Sequence, residues 1–255
     1  LIHPSAIVDP SARLADDVEV GPFSVIGADV EIGAGSVIGP HVVLKGPTRL
    51  GKRNRIFQFA SVGEDCQDKK YAGEPTRLEM GDDNVVRESV TIHRGTIQDR
   101  GVTTIGDRNL FMAYSHVGHD CLIGNDCILA NQATLAGHVT LGDFAIIGGL
   151  SAIHQFAHMG EHAMVGGCSA ITKDIPAFIM VNGNPAAPHG LNSIGLKRRG
   201  FSAEAIKALG EAYRLVYRKG LTLEQAVGEI ESRFSLDETR RFIDSLKVSQ
   251  RGIIR

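Results

Sequence analysis

The sequence predicts a parallel β-helix, a coil of three flat sides, closed by a small α-helical domain. Two observations carry this. Apolar residues recur at every sixth position over most of the chain, often with glycine directly after them, and beyond Ile171 that pattern fades into helical spacing.

The first run reads Ile2, Val8, Leu14, Val20, Ile26, Ile32, Ile38, Leu44, Leu50, Ile56 and Val62 without a miss, and the second reads Phe111, Val117, Ile123, Leu129, Leu135, Leu141, Ile147, Ile153, Met159, Val165 and Ile171. A six-residue period is neither helical nor a plain strand alternation, so its unit is a short strand plus a turn. Three units make one turn of the coil. The apolar posts then stack inward, and each rung bonds its neighbours at about 4.8 Å. The glycines of Val20-Gly21, Ile32-Gly33, Ile38-Gly39, Ile123-Gly124 and Leu141-Gly142 predict turns at one phase.

The phase is interrupted twice. Polar residues fill 64–77 before Met80, Val86 and Ile92 resume, and 94–103 adds one residue too many before Ile105. Both read as loops ejected from the coil, where binding is a more common role than packing. The coil is assigned to residues 1–187 and the helical domain to 188–255. In the latter, Ser202 caps a helix with an Ile206, Leu209, Tyr213 and Val216 stripe that Gly220 stops. Thr222 with Gln225, and Ser235 with Glu238, read as capping boxes, the last helix carrying Phe242, Ile243 and Leu246. This domain is expected to cover one open end of the coil.

Composition excludes several functions. Lys and Arg total 27 against 29 Asp and Glu, which gives no case for nucleic acid. A hydrophobic content of 43% without a run of spanning length argues against a membrane span, and the start is no signal peptide, so a cytoplasmic address is expected. Cys66, Cys121, Cys127 and Cys168 lack paired CxxC spacing and read as reduced, buried thiols.

The chemistry falls in the second run. With 18 residues per turn, His119, Gly137 and Gln155 stack on successive rungs, flanked by His138 and His154, with His116 beside them. A neutral imidazole next to a backbone N–H is what acyl transfer requires: a base for the attacking hydroxyl and a donor for the oxyanion. Glycine at 137 lets its N–H approach a substrate closely. Two other readings stay open at this point. His116 and His119 with a third His can be drawn as a zinc site of a β-helix hydratase, as in the trimeric carbonic anhydrases, although residues three apart on an extended chain face opposite ways. A non-catalytic β-helix scaffold is the third.

Specific motifs then separate these readings. Tyr71-Ala-Gly-Glu-Pro-Thr-Arg77, Arg87-Glu-Ser-Val-Thr-Ile-His-Arg-Gly95, His116-Val-Gly-His-Asp-Cys121, Leu135-Ala-Gly-His-Val139, His154-Gln-Phe156 and Gly195-Leu-Lys-Arg-Arg-Gly-Phe201 closely resemble the UDP-N-acetylglucosamine O-acyltransferase family over essentially the whole chain. The resemblance implies a left-handed coil, whereas crossover rules alone favour a right-handed one. It implies transfer of an (R)-3-hydroxyacyl group from acyl carrier protein to the glucosamine 3-hydroxyl of UDP-GlcNAc, the first step of lipid A biosynthesis. No cofactor is implied, the donor being carried on the carrier protein's phosphopantetheine.

By the same resemblance His119 is the general base, Asp120 its orienting carboxylate and Gly137 the oxyanion donor. His116, His138 and His154 line the substrate cleft, and Asp68 and Lys70 contact the sugar. Gln155, Asn192, Arg198 and Arg199 serve the nucleotide end, where arginine suits a diphosphate. Gly167 limits acyl length, and glycine there implies a longer chain. Pro185 stands where some members carry a histidine. Lys197, Arg198 and Arg199 form a basic patch that can receive the acidic carrier protein. The family implies a homotrimer with sites between neighbouring coils, so that Asp68 and Lys70 from a neighbour can complete the histidine strip.

Overall fold

A computed structural model describes residues 1–249 and 251–255. Short strands form three walls of nine, eight and ten strands among the described residues, all but the last pairing in parallel with the strand a turn away. The winding is left-handed. From Val20 on, the apolar posts point inward. Leu129, Leu135, Ile147 and Val165 are wholly buried, and the column runs from Val20 to Val181.

Both interruptions leave the coil as expected. Leu50 pairs with Met80, Ile56 with Val86 and Val62 with Ile92, a turn of 30 residues instead of 18. The difference is the loop between the strands Ser61–Glu64 and Arg77–Met80. The next turn is 25 residues, its excess lying between Thr91–His93 and Val102–Ile105.

The corners correct one expectation. Three residues past most posts the backbone enters the left-handed region, and the residues there are seldom glycine. Arg108, Tyr114, Asp120, Asp126, Gln132, His138, Phe144, Leu150, Phe156, His162 and Cys168 have φ between 54° and 66°, a conformation costing an L-residue roughly 1–2 kcal/mol. The glycines after the posts serve close packing of rungs instead. A Cβ on Gly33 would lie 2.5 Å from the Gly51 oxygen, and one on Gly118 2.8 Å from the Ala136 carbonyl carbon. Corner side chains project outward, which is why Cys168 is exposed while Cys66, Cys121 and Cys127 are buried. Burial pushes the Cys121 and Cys127 thiols up to about 12.

The chain crosses residues 187 and 188 inside an antiparallel hairpin, Ile179–Gly183 with Ala186–Leu191, which extends the ten-stranded wall. Helices α1 (Ser193–Arg198), α2 (Ala203–Tyr217), α3 (Leu223–Arg233) and α4 (Asp237–Lys247) follow. Ser202 caps α2 and the Thr222–Gln225 box caps α3. The Ser235–Glu238 box does not form. Helix α4 begins one residue later with Leu236 as N-cap, so Glu238 lies too early in the first turn to reach back, and the Thr239 hydroxyl donates to the Leu236 carbonyl instead. The helices are tied to the coil by Ser245, whose hydroxyl accepts from Ala177 N, and by the Arg241–Glu161 ion pair at 2.9 Å. Among the described residues no helix is long and apolar enough to cross a membrane.

Candidate active site

The strip inferred from 18-residue turns exists, and the corner geometry gives it a depth that a flat wall would lack. His116 opens the short strand His116–Val117, while His119 follows Gly118 into the turn that Asp120 closes at φ 58°. The two imidazoles therefore line one cleft of about 450 Å³, together with Asp68, His93, Gly137 and Gln155. The expectation that His116 and His119 face opposite ways fails because the chain is not extended between them.

His119 Nδ1 lies 2.9 Å from Asp120 Oδ2. Asp120, 3% exposed, accepts further bonds from Thr96: the backbone N–H reaches both carboxylate oxygens at 3.0 Å and the hydroxyl reaches Oδ2 at 2.6 Å. Burial works to raise this carboxyl, but the bonds from His119 and Thr96 outweigh it and hold it below the ordinary carboxylate range. An anionic Asp120 makes Nδ1 the protonated nitrogen of His119, so Nε2 carries the free lone pair. That nitrogen faces Gly137: a Cβ at 137 would lie 2.5 Å from it, so only glycine leaves room for the ring. The Gly137 N–H donates to no acceptor among the described residues.

His138, on the next corner, meets the His119 ring edge-on at 4.8 Å and stacks on Phe156 at 4.3 Å. Its Nδ1 lies 2.8 Å from Asp99 of the second loop. His116 Nδ1 lies 2.7 Å from the Thr91 hydroxyl, and its ring meets His93 edge-on at 4.9 Å. Burial, helped by His93 and His119, pushes His116 down to about 4, and burial likewise lowers His93. Both imidazoles are neutral near pH 7. Sequence reasoning passed over His93, which sits one residue past the post Ile92 as Gly118 does past Val117; the 25-residue turn between them concealed the alignment. Thr96 and Asp99 were missed for want of any period in their loop.

Other expected site residues are more dispersed. Asp68 reaches the cleft from the first loop, and Gln67 and Lys69 line it too; Lys70 is exposed and touches Asp68 through its backbone N–H. His154 is exposed, its Nδ1 2.9 Å from the Gln155 carbonyl. Asn192 caps α1 with its side-chain oxygen, and its amide donates to the His162 carbonyl. Arg198 is exposed, and Arg199 lies over the Phe144 ring at 4.0 Å. Gly167 has one near neighbour to a Cβ, the Gly149 oxygen at 3.3 Å.

His119, Asp120 and His138 bring potential metal ligands within 4.8 Å of one another. The donor chemistry is poor for a cation, because the Asp120 oxygens and His119 Nδ1 are already bonded to each other and to Thr96.

The wider comparison agrees with the motifs. Residues 174–254 match the family model for the second domain of UDP-N-acetylglucosamine O-acyltransferases, and residues 11–46 and 103–137 match the bacterial transferase hexapeptide repeat. An acyl-(acyl-carrier-protein)–UDP-N-acetylglucosamine O-acyltransferase of Stutzerimonas stutzeri is 61% identical, covering 100% of this chain and 99% of its own. LpxA of Acinetobacter baumannii superposes with a TM-score of 0.98 at 50% identity, covering 100% of both chains. The UDP-N-acetylglucosamine acyltransferase of Arabidopsis superposes at 0.88 and 36% identity, again over 100% of both. With identity of this order from end to end, the chain belongs to the UDP-N-acetylglucosamine O-acyltransferase family.

Proposed function

We propose that this enzyme transfers an (R)-3-hydroxyacyl group from acyl carrier protein to the glucosamine 3-hydroxyl of UDP-GlcNAc, opening lipid A biosynthesis in the cytoplasm. One observation carries the mechanism: the His119 ring, held through Nδ1 by Asp120, turns Nε2 toward Gly137 inside the cleft. Nε2 takes the proton of the sugar 3-hydroxyl as its oxygen attacks the thioester carbonyl. The Gly137 N–H donates to the oxyanion of the tetrahedral intermediate. Collapse expels the phosphopantetheine sulfur, which receives the proton back from the imidazolium.

Asp68 and Lys70 are assigned to the sugar, and His116, His138 and His154 to the cleft walls. Gln155, Asn192, Arg198 and Arg199 are assigned to the nucleotide, and Gly167 leaves room for a long acyl chain. The basic patch at Lys197, Arg198 and Arg199 receives the carrier protein. A homotrimer is supported by the outer surface of the ten-stranded wall, where Val85, Leu110, Ile128, Ile146, Met164 and Met180 follow one another in register. Its corner adds the exposed Phe23, Phe59, Tyr114 and Leu150, each above 60% accessible. A continuous apolar face of this kind marks a protein contact. The wall that opens with Arg13–Glu31 carries charge pairs instead.

The reading is tested by incubating the purified protein with radiolabelled UDP-GlcNAc and either hydroxyacyl or plain acyl carrier protein. Product with the hydroxyacyl donor is expected; no product with either would contradict it.

A further inference from the structure

The second ejected loop, 94–101, suits a binding role by position, yet its contacts are inward. We infer that Thr96 is a positioning residue of the acyl-transfer site, and that the loop acts as a brace setting the orientation and proton inventory of the Asp120–His119 pair. This rests on the proposed function.

Thr96 is 1% exposed. Its hydroxyl and its N–H both donate to Asp120, so with His119 Nδ1 they bring three donors to Oδ2. The loop is folded around this residue, because Thr96 O accepts from the N–H groups of Asp99 and Gly101. Gly95 lets it enter tightly: a Cβ there would lie 2.2 Å from Val102 N.

The ends of the brace are fixed. Arg94, 4% exposed, donates to the Gly46 and Gly63 carbonyls and to the Tyr71 hydroxyl and pairs with Asp65, tying the second loop to the base of the first, which carries Asp68. Asp99 holds His138 from the other side. The ionisable groups around the pair are His138, whose Nε2 lies 4.0 Å from Asp120 Oδ2 and whose Nδ1 meets Asp99, Arg100, whose guanidinium donates to the Asp120 carbonyl, Cys66 from the first loop, and Asp68, Lys69, His93 and His116 along the cleft.

A carboxylate oxygen shared among three donors is constrained in direction and moderated in charge. Without the hydroxyl, Asp120 is held by the Thr96 N–H and His119 alone, and more of its charge falls on the imidazolium, which then holds its proton to higher pH.

The test compares wild type with Thr96→Val and Thr96→Ser, using kcat, KM for UDP-GlcNAc and the pH dependence of kcat/KM. Thr96→Val should lower kcat about 10-fold, as loss of one bond to a charged group does, leave KM within about twofold, and move the acid limb of the profile upward. Thr96→Ser should restore both. Thr96→Ala, which removes the hydroxyl without adding a branch, carries the test if the valine variant does not fold. Wild-type kcat and an unmoved acid limb in Thr96→Val or Thr96→Ala would overturn the inference while leaving the reaction intact. An inactive wild type would remove the reaction itself, and the inference with it.

Discussion

His138 and His162 hold the same place in the hexad on two different edges of the coil, each on a left-handed backbone and each stacked on a phenylalanine, His138 on Phe156 at 4.3 Å and His162 on Phe144 at 4.6 Å. Their partners differ. His138 has the Asp99 carboxylate on one nitrogen and the His119 ring at its edge. His162 is 5% exposed and fenced by Phe178 and Phe201; burial first, then Arg199 and Arg241, push it down to about 4. The same residue in the same place of the hexad thus meets the His119–Asp120 pair on one edge and is a neutral packing element on another. Position in the coil supplies direction, and ejected loops and the helical domain supply the electrostatics.

The contrast breaks most sharply at Gly137, because the functional rung depends on a gap that the packing rung lacks. Gly137→Ala puts a methyl 2.5 Å from His119 Nε2. The ring must turn away from both the attacking hydroxyl and the N–H, and kcat should fall on the order of 100-fold, the scale of losing one oxyanion donor. A steady-state assay at saturating substrates reads this; a loss under twofold would mean the ring has another place to stand.

A smaller effect sharpens the other side. His162→Phe should leave kcat unchanged and alter the pH dependence of stability. In the folded protein His162 titrates at about 4, below the roughly 6.5 of an unfolded chain. Between those values the unfolded chain binds more protons, so stability is complete above about 6.5 and falls as pH drops toward 4. His116, also near 4, contributes with the same sign. Thermal melts from pH 7 to pH 4 should therefore show a shallower decline in His162→Phe than in wild type; identical declines would place the charge-sensitive burial elsewhere.

Much of this was legible in the sequence because a buried post must be apolar and a turn has fixed length. The inward column, both loops and the stack of His119 over Gly137 follow from those constraints. His93 was obscured by the long second turn. The common cleft of His116 and His119 was misread because the strand ends at Val117 and the chain turns at His119, and nothing in the local sequence announces that turn. Helix α1 and the hairpin before it are too short to show a period. Thr96 and Asp99 act through tertiary contacts of an irregular loop, where spacing carries no information. The structural bonds of Asn192, the α1 cap and the amide bond to the His162 carbonyl, are likewise contacts that no motif reveals.

The account depends most on His119 being the base that Asp120 orients. Single-turnover transfer from hydroxyacyl carrier protein to UDP-GlcNAc, measured for wild type and His119→Ala at matched substrate occupancy, addresses it directly. The account predicts a drop of about 10²–10⁴ in the rate of the chemical step, with the melting temperature of the variant near that of wild type. An equal rate in the two proteins would contradict it.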